Sequence, residues 1–197
     1  MGNDKLKDED QIAIERVLDG DIKAFETLVK KYQKRIYFLA LRMTKNHDVA
    51  DELAQESFVR AYMSLSSFQQ GRSFYTWIYR ITVNQILNYL KHKSFTVSLD
   101  TPSGRTFLES VPKSPDQLNR LVNQEQMVVF QQALEKLPSA QKTIFMLKTY
   151  DDFSYEEISK IMGCSIGTVM SRLFRARAKI KNALLESDKQ KNGKLQK

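Results

Sequence analysis

After an acidic start, the first sustained hydrophobic pattern places Phe25, Leu28, Val29, Tyr32, Ile36, Leu39, Ala40 and Met43 along one face of a helix. The opposite face carries Lys30, Lys31, Lys34 and Arg35. Asp19 or Asp21 is placed to cap this helix. Asp48 opens a second helix, with Val49, Leu53, Ala54, Phe58, Ala61, Tyr62 and Leu65 inward and Asp51, Glu52, Gln55 and Glu56 outward. Gly71 then marks a loop, and Ser73 is placed to cap a third helix. Along it Phe74, Trp77, Ile78 and Ile81 have the spacing of a buried face, and Arg80, Asn84, Asn88 and Lys91 form an opposite polar stripe.

Periodicity lapses over residues 94–116, where Pro102, Gly104, Pro112 and Pro115 indicate a linker. It resumes near Leu118 and runs through Leu121, Met127, Val128, Phe130, Leu134 and Leu137 until Pro138 breaks it. Another helix surrounds Ile144 and Leu147. The stretch that follows, FSYEEISKIMGCSIGTVMSRLFRARAKIKNALL, predicts two helices and a tight turn. Ser154 and Glu157 have the spacing of a capping box, so the first of these helices starts there. Gly163 stands where the turn needs a positive φ, and Ser165 caps the second helix. That helix has Val169, Leu173, Ala176, Ile180 and Leu184 on one side and Thr168, Ser171, Arg172, Arg175 and Lys179 on the other. Such an arrangement is a helix-turn-helix. The fold expected is therefore all-α: a helical domain over residues 1–93, a flexible linker over 94–116, and a helix-turn-helix domain over 117–187. Residues 188–197 are expected to be a disordered basic tail.

Charge sharpens the picture. The 197 residues carry a net charge of +8, which favours an anionic partner such as nucleic acid. From Ile158 to Leu185 there is no acid, against Lys160, Arg172, Arg175, Arg177, Lys179 and Lys181. A solvated basic helix in an ordinary bundle would show the same charge, but caps, turn glycine and basic stripe in register point to a DNA-facing surface. A second acid-free stretch lies between residues 57 and 99, with Arg60, Arg72, Arg80, Lys91 and Lys93. Phe68, Phe74, Tyr75, Trp77, Tyr79 and Tyr89 are interleaved with it, as in proteins that stack single-stranded bases on rings. Core packing accounts for a share of these aromatics and leaves the missing acids unexplained. The acidic group Asp51, Glu52, Gln55 and Glu56 has two readings. It is either favourable carboxylate placement in early helical turns, worth a few tenths of a kcal/mol each, or a surface for another protein.

Other chemistry is lacking. A lone Cys164 excludes an internal disulfide and a cysteine-based zinc site, and suits a reducing cytoplasm. His47 and His92 stand far apart, and no phosphate-binding glycine loop or Ser/His/Asp arrangement occurs. The expectation is no catalysis, no metal, no cofactor and no small-molecule substrate. The N-terminal MGNDKLKDEDQ has no apolar signal core and no run approaches membrane-spanning length, so a cytoplasmic protein is expected.

The passages AFETLVKKYQKRIYFLALRM, ADELAQESFVRAY, FYTWIYRITVN, LEKLPSAQKTIFML and FSYEEISKIMGCSIGTVMSRLFRARAKI, in that order, resemble bacterial sigma factors of the extracytoplasmic-function (ECF) group. The resemblance covers most of the chain from about residue 20 to 185. It implies a promoter-recognition subunit of RNA polymerase with no catalytic activity. Asp51, Glu52, Gln55 and Glu56 match the patch that docks on the clamp helices of the polymerase's largest subunit. The loop over residues 66–73 and the helix bearing Arg80, Asn84 and Asn88 match the elements that open the −10 element and hold its non-template strand. Phe68, Arg72 and Tyr75 are the further contacts expected there. The helix-turn-helix matches the reader of the duplex −35 element, through Thr168, Ser171, Arg172, Arg175 and Lys179. The family usually has an inhibitory anti-sigma partner. Met170 and Phe174 depart from it, standing where lysine and histidine are common. A stand-alone helix-turn-helix regulator that binds duplex DNA without polymerase is the alternative. A single-strand or RNA-binding module is a more distant one.

Overall fold

The computed structural model of the protein describes residues 2–69, 71–96 and 117–194, with side chains over 9–69, 71–93 and 126–189. All regular structure among the described residues is helical. The linker expected over residues 94–116 lies outside them except for its first three positions, which continue a helix. The chain divides into two compact units, the first made of Met1–Thr101 and Ser159–Gly163 and the second of Pro102–Ile158 and Cys164–Lys197.

The first unit contains α1 (Gly2–Leu18), α2 (Ala24–Thr44), α3 (His47–Met63), a 3-10 turn at Leu65–Ser67, and α4 (Phe74–Thr96). Helix α2 packs on α3, α4 and α1. Its expected apolar face is buried throughout apart from half-buried Val29. Two caps differ from expectation. No side chain caps α2: its N-cap position falls on Lys23, and the Asp21 carboxylate pairs with Arg16 at 2.6 Å. Asn46, rather than Asp48, caps α3, accepting from the Val49 N–H at 3.1 Å. Asp48 sits in the first turn, where a carboxylate still suits the helix dipole.

Helix α1 was not foreseen in the acidic start. Besides the buried Ala13, Ile14 and Val17, it is held by a charged group that hydrophobic periodicity does not reveal. Asp10 is only 5% exposed and accepts from Lys31 Nζ at 2.5 Å and from the Tyr32 hydroxyl. A buried carboxylate is tolerated because both donors meet it. Burial, and then the hydrogen bond donated to Asp10, push the Tyr32 hydroxyl far above its ordinary value of 10.0. In the unfolded chain this tyrosine ionises near 10, whereas in the folded protein it stays neutral. Stability should therefore fall as pH rises through about 10, by up to about 1.4 kcal/mol per pH unit from this residue. Tyr32→Phe should show a shallower alkaline loss than the wild type, read as urea midpoints from about pH 8 to 11. Equal slopes would remove Tyr32 from the account.

The second unit contains α5 (Gln117–Glu135), α6 (Ser139–Thr149), the start of α7 (Tyr155–Met162) and α8 (Ile166–Lys194), with α8 packed on α5 and α6. Ile144 and Leu147 of α6 are fully buried, whereas Met127 and Val128 of α5 are about two-fifths exposed. Helix α8 runs on through residues 188–194, which the sequence placed in a disordered tail. The segment SDKQK contains good helix formers and no proline, so nothing in it ends the helix.

Candidate nucleic-acid interface

The helix-turn-helix forms from local rules. Ser154 and Glu157 make the reciprocal capping box: the Glu157 N–H donates to Ser154 Oγ at 3.2 Å, and the Ser154 N–H donates to Glu157 Oε2 at 2.8 Å. Helix α7 ends at Gly163, whose φ of +60° is the left-handed value expected of the turn. Ser165 Oγ accepts from the Thr168 N–H at 3.2 Å and so caps α8. Val169, Leu173, Ala176 and Ile180 bury the inner side of α8, which fixes its rotation. Ser171, Arg175 and Lys179 are consequently exposed, and Thr168 and Arg172 half-buried. Ser171 and Arg175 lie on the side away from the core, and Thr168, Arg172 and Lys179 lie along one flank of it.

In the first unit, the segment between α3 and α4 is pinned at two points. Leu65 is 2% exposed and Phe68 is 7% exposed, the latter set edge-on to Trp77 at 5.1 Å and to Phe74 at 6.1 Å. Gly71, with φ of +80°, reverses the chain, and Ser73 Oγ accepts from the Thr76 N–H at 3.3 Å to start α4. Ser66, Ser67, Gln69 and Arg72 are left exposed. Phe68, expected among the strand-binding residues, has its ring buried against Trp77 and Phe74.

Tyr75, also expected at the strand, packs toward α2. At 100° per residue it lies about 140° around α4 from Arg80, on the side that packs on α2. Its ring stacks on Tyr32 at 5.6 Å, its hydroxyl accepts from Arg35 Nη1 at 3.0 Å, and Tyr79 meets it edge-on at 4.7 Å. Arg80, Asn84 and Asn88 are exposed on the opposite side. Trp77 shares that side, three residues before Arg80, and is only half-buried. The sequence reading put Trp77 in the core; the signal it passed over is the spacing 77, 80, 84, 88, which is itself helical.

The acidic group on α3 is wholly exposed. Gln55 Nε2 donates to Asp51 Oδ2 at 2.8 Å, and Glu56 pairs with Arg60 at 2.7 Å. None of these four side chains supports the core. Among the described residues no helix is long and apolar enough to cross a membrane.

Residues 28–96 match the family model of sigma-70 region 2, and residues 127–180 that of sigma-70 region 4. The ECF RNA polymerase sigma-E factor of Salmonella typhimurium is 38% identical over 178 residues, covering 88% of this chain and 93% of that protein. The chain belongs to the ECF sigma factors. The sigma-E factor of Haemophilus influenzae is similarly close, at 37% identity over 183 residues, 89% of this chain and 95% of that one. A solved structure of the sigma factor RpoE from Bartonella quintana, in complex with the anti-sigma factor NepR, is similar with a TM-score of 0.61 at 29% identity. It covers 82% of this chain and 97% of that one. CnrH, solved with the cytosolic domain of CnrY, has the same fold, with a TM-score of 0.64 at 24% identity over 91% of this chain and 99% of that one. As a sigma factor the protein is a non-enzymatic transcription initiation factor; residues 28–96 fall in the first unit and most of residues 127–180 in the second.

Proposed function

We propose that this ECF sigma factor divides promoter recognition between its units. The first unit docks on core RNA polymerase through Asp51, Glu52, Gln55 and Glu56. It opens the −10 element with the exposed loop residues, Arg72 among them, and holds the non-template strand on Trp77, Arg80, Asn84 and Asn88. The second unit reads the duplex −35 element through Thr168, Ser171, Arg172, Arg175 and Lys179. The observation that carries this reading is the segregation of charge: an exposed acidic patch on α3, in a protein whose other functional faces are acid-free and basic. Phosphates repel such a patch, so it faces protein. An anti-sigma factor of the kind seen with the Bartonella quintana protein is a further partner. The cytoplasm, where polymerase and promoter meet, is the compartment.

The test separates base reading from phosphate contact on α8. With holoenzyme on duplex promoter fragments, Arg172→Ala or Arg175→Ala should cost about 1–3 kcal/mol and relax preference at one position. Lys179→Ala should weaken all sequences alike and lower the salt slope by about 0.9. If Arg172→Ala and Arg175→Ala both leave the upstream preference unchanged, α8 does not enter the groove as proposed.

A further inference from the structure

The most exposed large hydrophobic side chains of α8 are on its outer side, near the capped start. Phe174 is 74% exposed and Met170 is 52% exposed, one helical turn apart. Val169, Leu173 and Ala176 next to them are at most 2% exposed, so the core is complete without the pair. A phenylalanine ring left in water forfeits the transfer free energy that burial would return, and its position therefore calls for an occupant.

The surroundings choose among occupants. Phe174 lies about 60° around the helix from Ser171. Arg177 and Lys181 lie within about 60° of the pair around the helix and Arg175 about 100° from Phe174, with no acid between residues 158 and 185. A polyanion fits that setting, and the first turns of the second helix are where a helix-turn-helix reaches base edges. Neither a phenyl ring nor a thioether offers a strong hydrogen bond. The one apolar group on a base edge in the major groove is the thymine C5 methyl.

We propose that Met170 and Phe174 form an apolar ridge that reads thymine methyl groups in the upstream element and so sets part of this protein's promoter preference. This rests on the duplex-reading role proposed above for α8. The arginines beside the ridge anchor phosphates and hydrogen-bond bases, and the ridge adds discrimination at A·T pairs that hydrogen bonding alone does not supply.

Deoxyuridine lacks only the methyl. Holoenzyme binding is measured on a promoter fragment that it transcribes, with each thymine of the upstream element, on either strand, replaced singly by deoxyuridine. At one or two positions the wild type should bind about fourfold more weakly per methyl lost, the worth of one buried methylene. Phe174→Ala should bind thymine and uracil equally at its position. That ratio is taken within one protein, so a loss of fold stability cancels from it. Met170→Lys should lose discrimination at its own methyl and steepen the salt slope by about 0.9. If base-pair changes in the element alter binding while uracil is silent at every thymine, the ridge proposal is overturned and the duplex-reading role stands. If no base-pair change matters, that role itself falls. Should Phe174→Ala keep the uracil penalty and instead lose affinity for core polymerase, the ridge is a protein contact and the proposal is equally overturned.

Discussion

Replacing Ser66, Ser67, Gln69 and Arg72 together by glycine and serine, with Leu65 and Phe68 retained, should abolish most open-complex formation while leaving core binding and upstream duplex binding near normal. These four side chains are exposed and contribute nothing to the core, whereas Phe68 packs on Trp77 and Phe74. Truncating Phe68 as well would confuse melting with unfolding, since Phe→Ala in a core costs about 3–5 kcal/mol. No nucleotide-driven step is available to a sigma factor without catalytic activity, so binding energy must separate the strands. Unstacking a base costs a few kcal/mol, and each base caught on a ring returns about 1–3 kcal/mol. Half-buried Trp77 is the aromatic on the exposed side of α4, so the exchange is near balance and the loop's contacts decide it. Permanganate reactivity of unpaired thymines should drop by tenfold or more in the loop variant. A pre-melted bubble should restore part of the activity, because it removes the unpairing cost without replacing the lost contacts. Normal permanganate reactivity on duplex promoters would reject this division of labour.

The second large effect concerns docking. Gln55→Ala combined with Glu56→Lys should weaken binding to core polymerase on the order of a hundredfold, since placing a like charge against a complementary surface costs several kcal/mol. Folding should survive. Both side chains are exposed, and the lost Glu56–Arg60 pair is an exposed i,i+4 contact worth about 0.3–0.5 kcal/mol. The lysine then sits one turn from Arg60, adding a like-charge cost of similar size. Circular dichroism and thermal midpoints should thus remain close to wild type. Unchanged affinity for core enzyme at moderate salt would show that the patch faces something else.

What the sequence revealed and what it hid follow from the range of the interactions involved. The helix-turn-helix was legible residue by residue, because Ser154, Glu157, Gly163 and Ser165 act within four positions of their partners. The faces of α2 and α8 were legible because one continuous apolar stripe decides each. Helix α1 was not, since its buried apolar stripe, Ala13, Ile14 and Val17, is short, and the buried carboxylate beside it finds its partners 21 and 22 residues away. Aspartate reads as surface until Lys31 and Tyr32 are seen to meet it. The aromatics around the loop were the hardest to sort. Phe68, Tyr75 and Trp77 share composition and neighbourhood, and only their packing separates a buried anchor, a residue stacked between α2 and α4, and a half-open ring. Helix ends followed the same logic: Asn46 competed with Asp48 for one cap, and Asp21 pairs with Arg16 while the N-cap position of α2 falls on Lys23.

The central claim is that this chain acts only as a subunit, conferring promoter choice on an enzyme it does not itself resemble. Reconstituted transcription tests it directly: core RNA polymerase, genomic fragments and nucleotides, with and without the chain, the transcripts being mapped at their 5′ ends. Discrete starts should appear only when both proteins are present, each preceded by a shared pair of upstream elements at fixed spacing, and the chain alone should open no promoter. Failure to bind core polymerase, with tight sequence-specific binding of the free chain to duplex DNA and no new starts, would contradict the account.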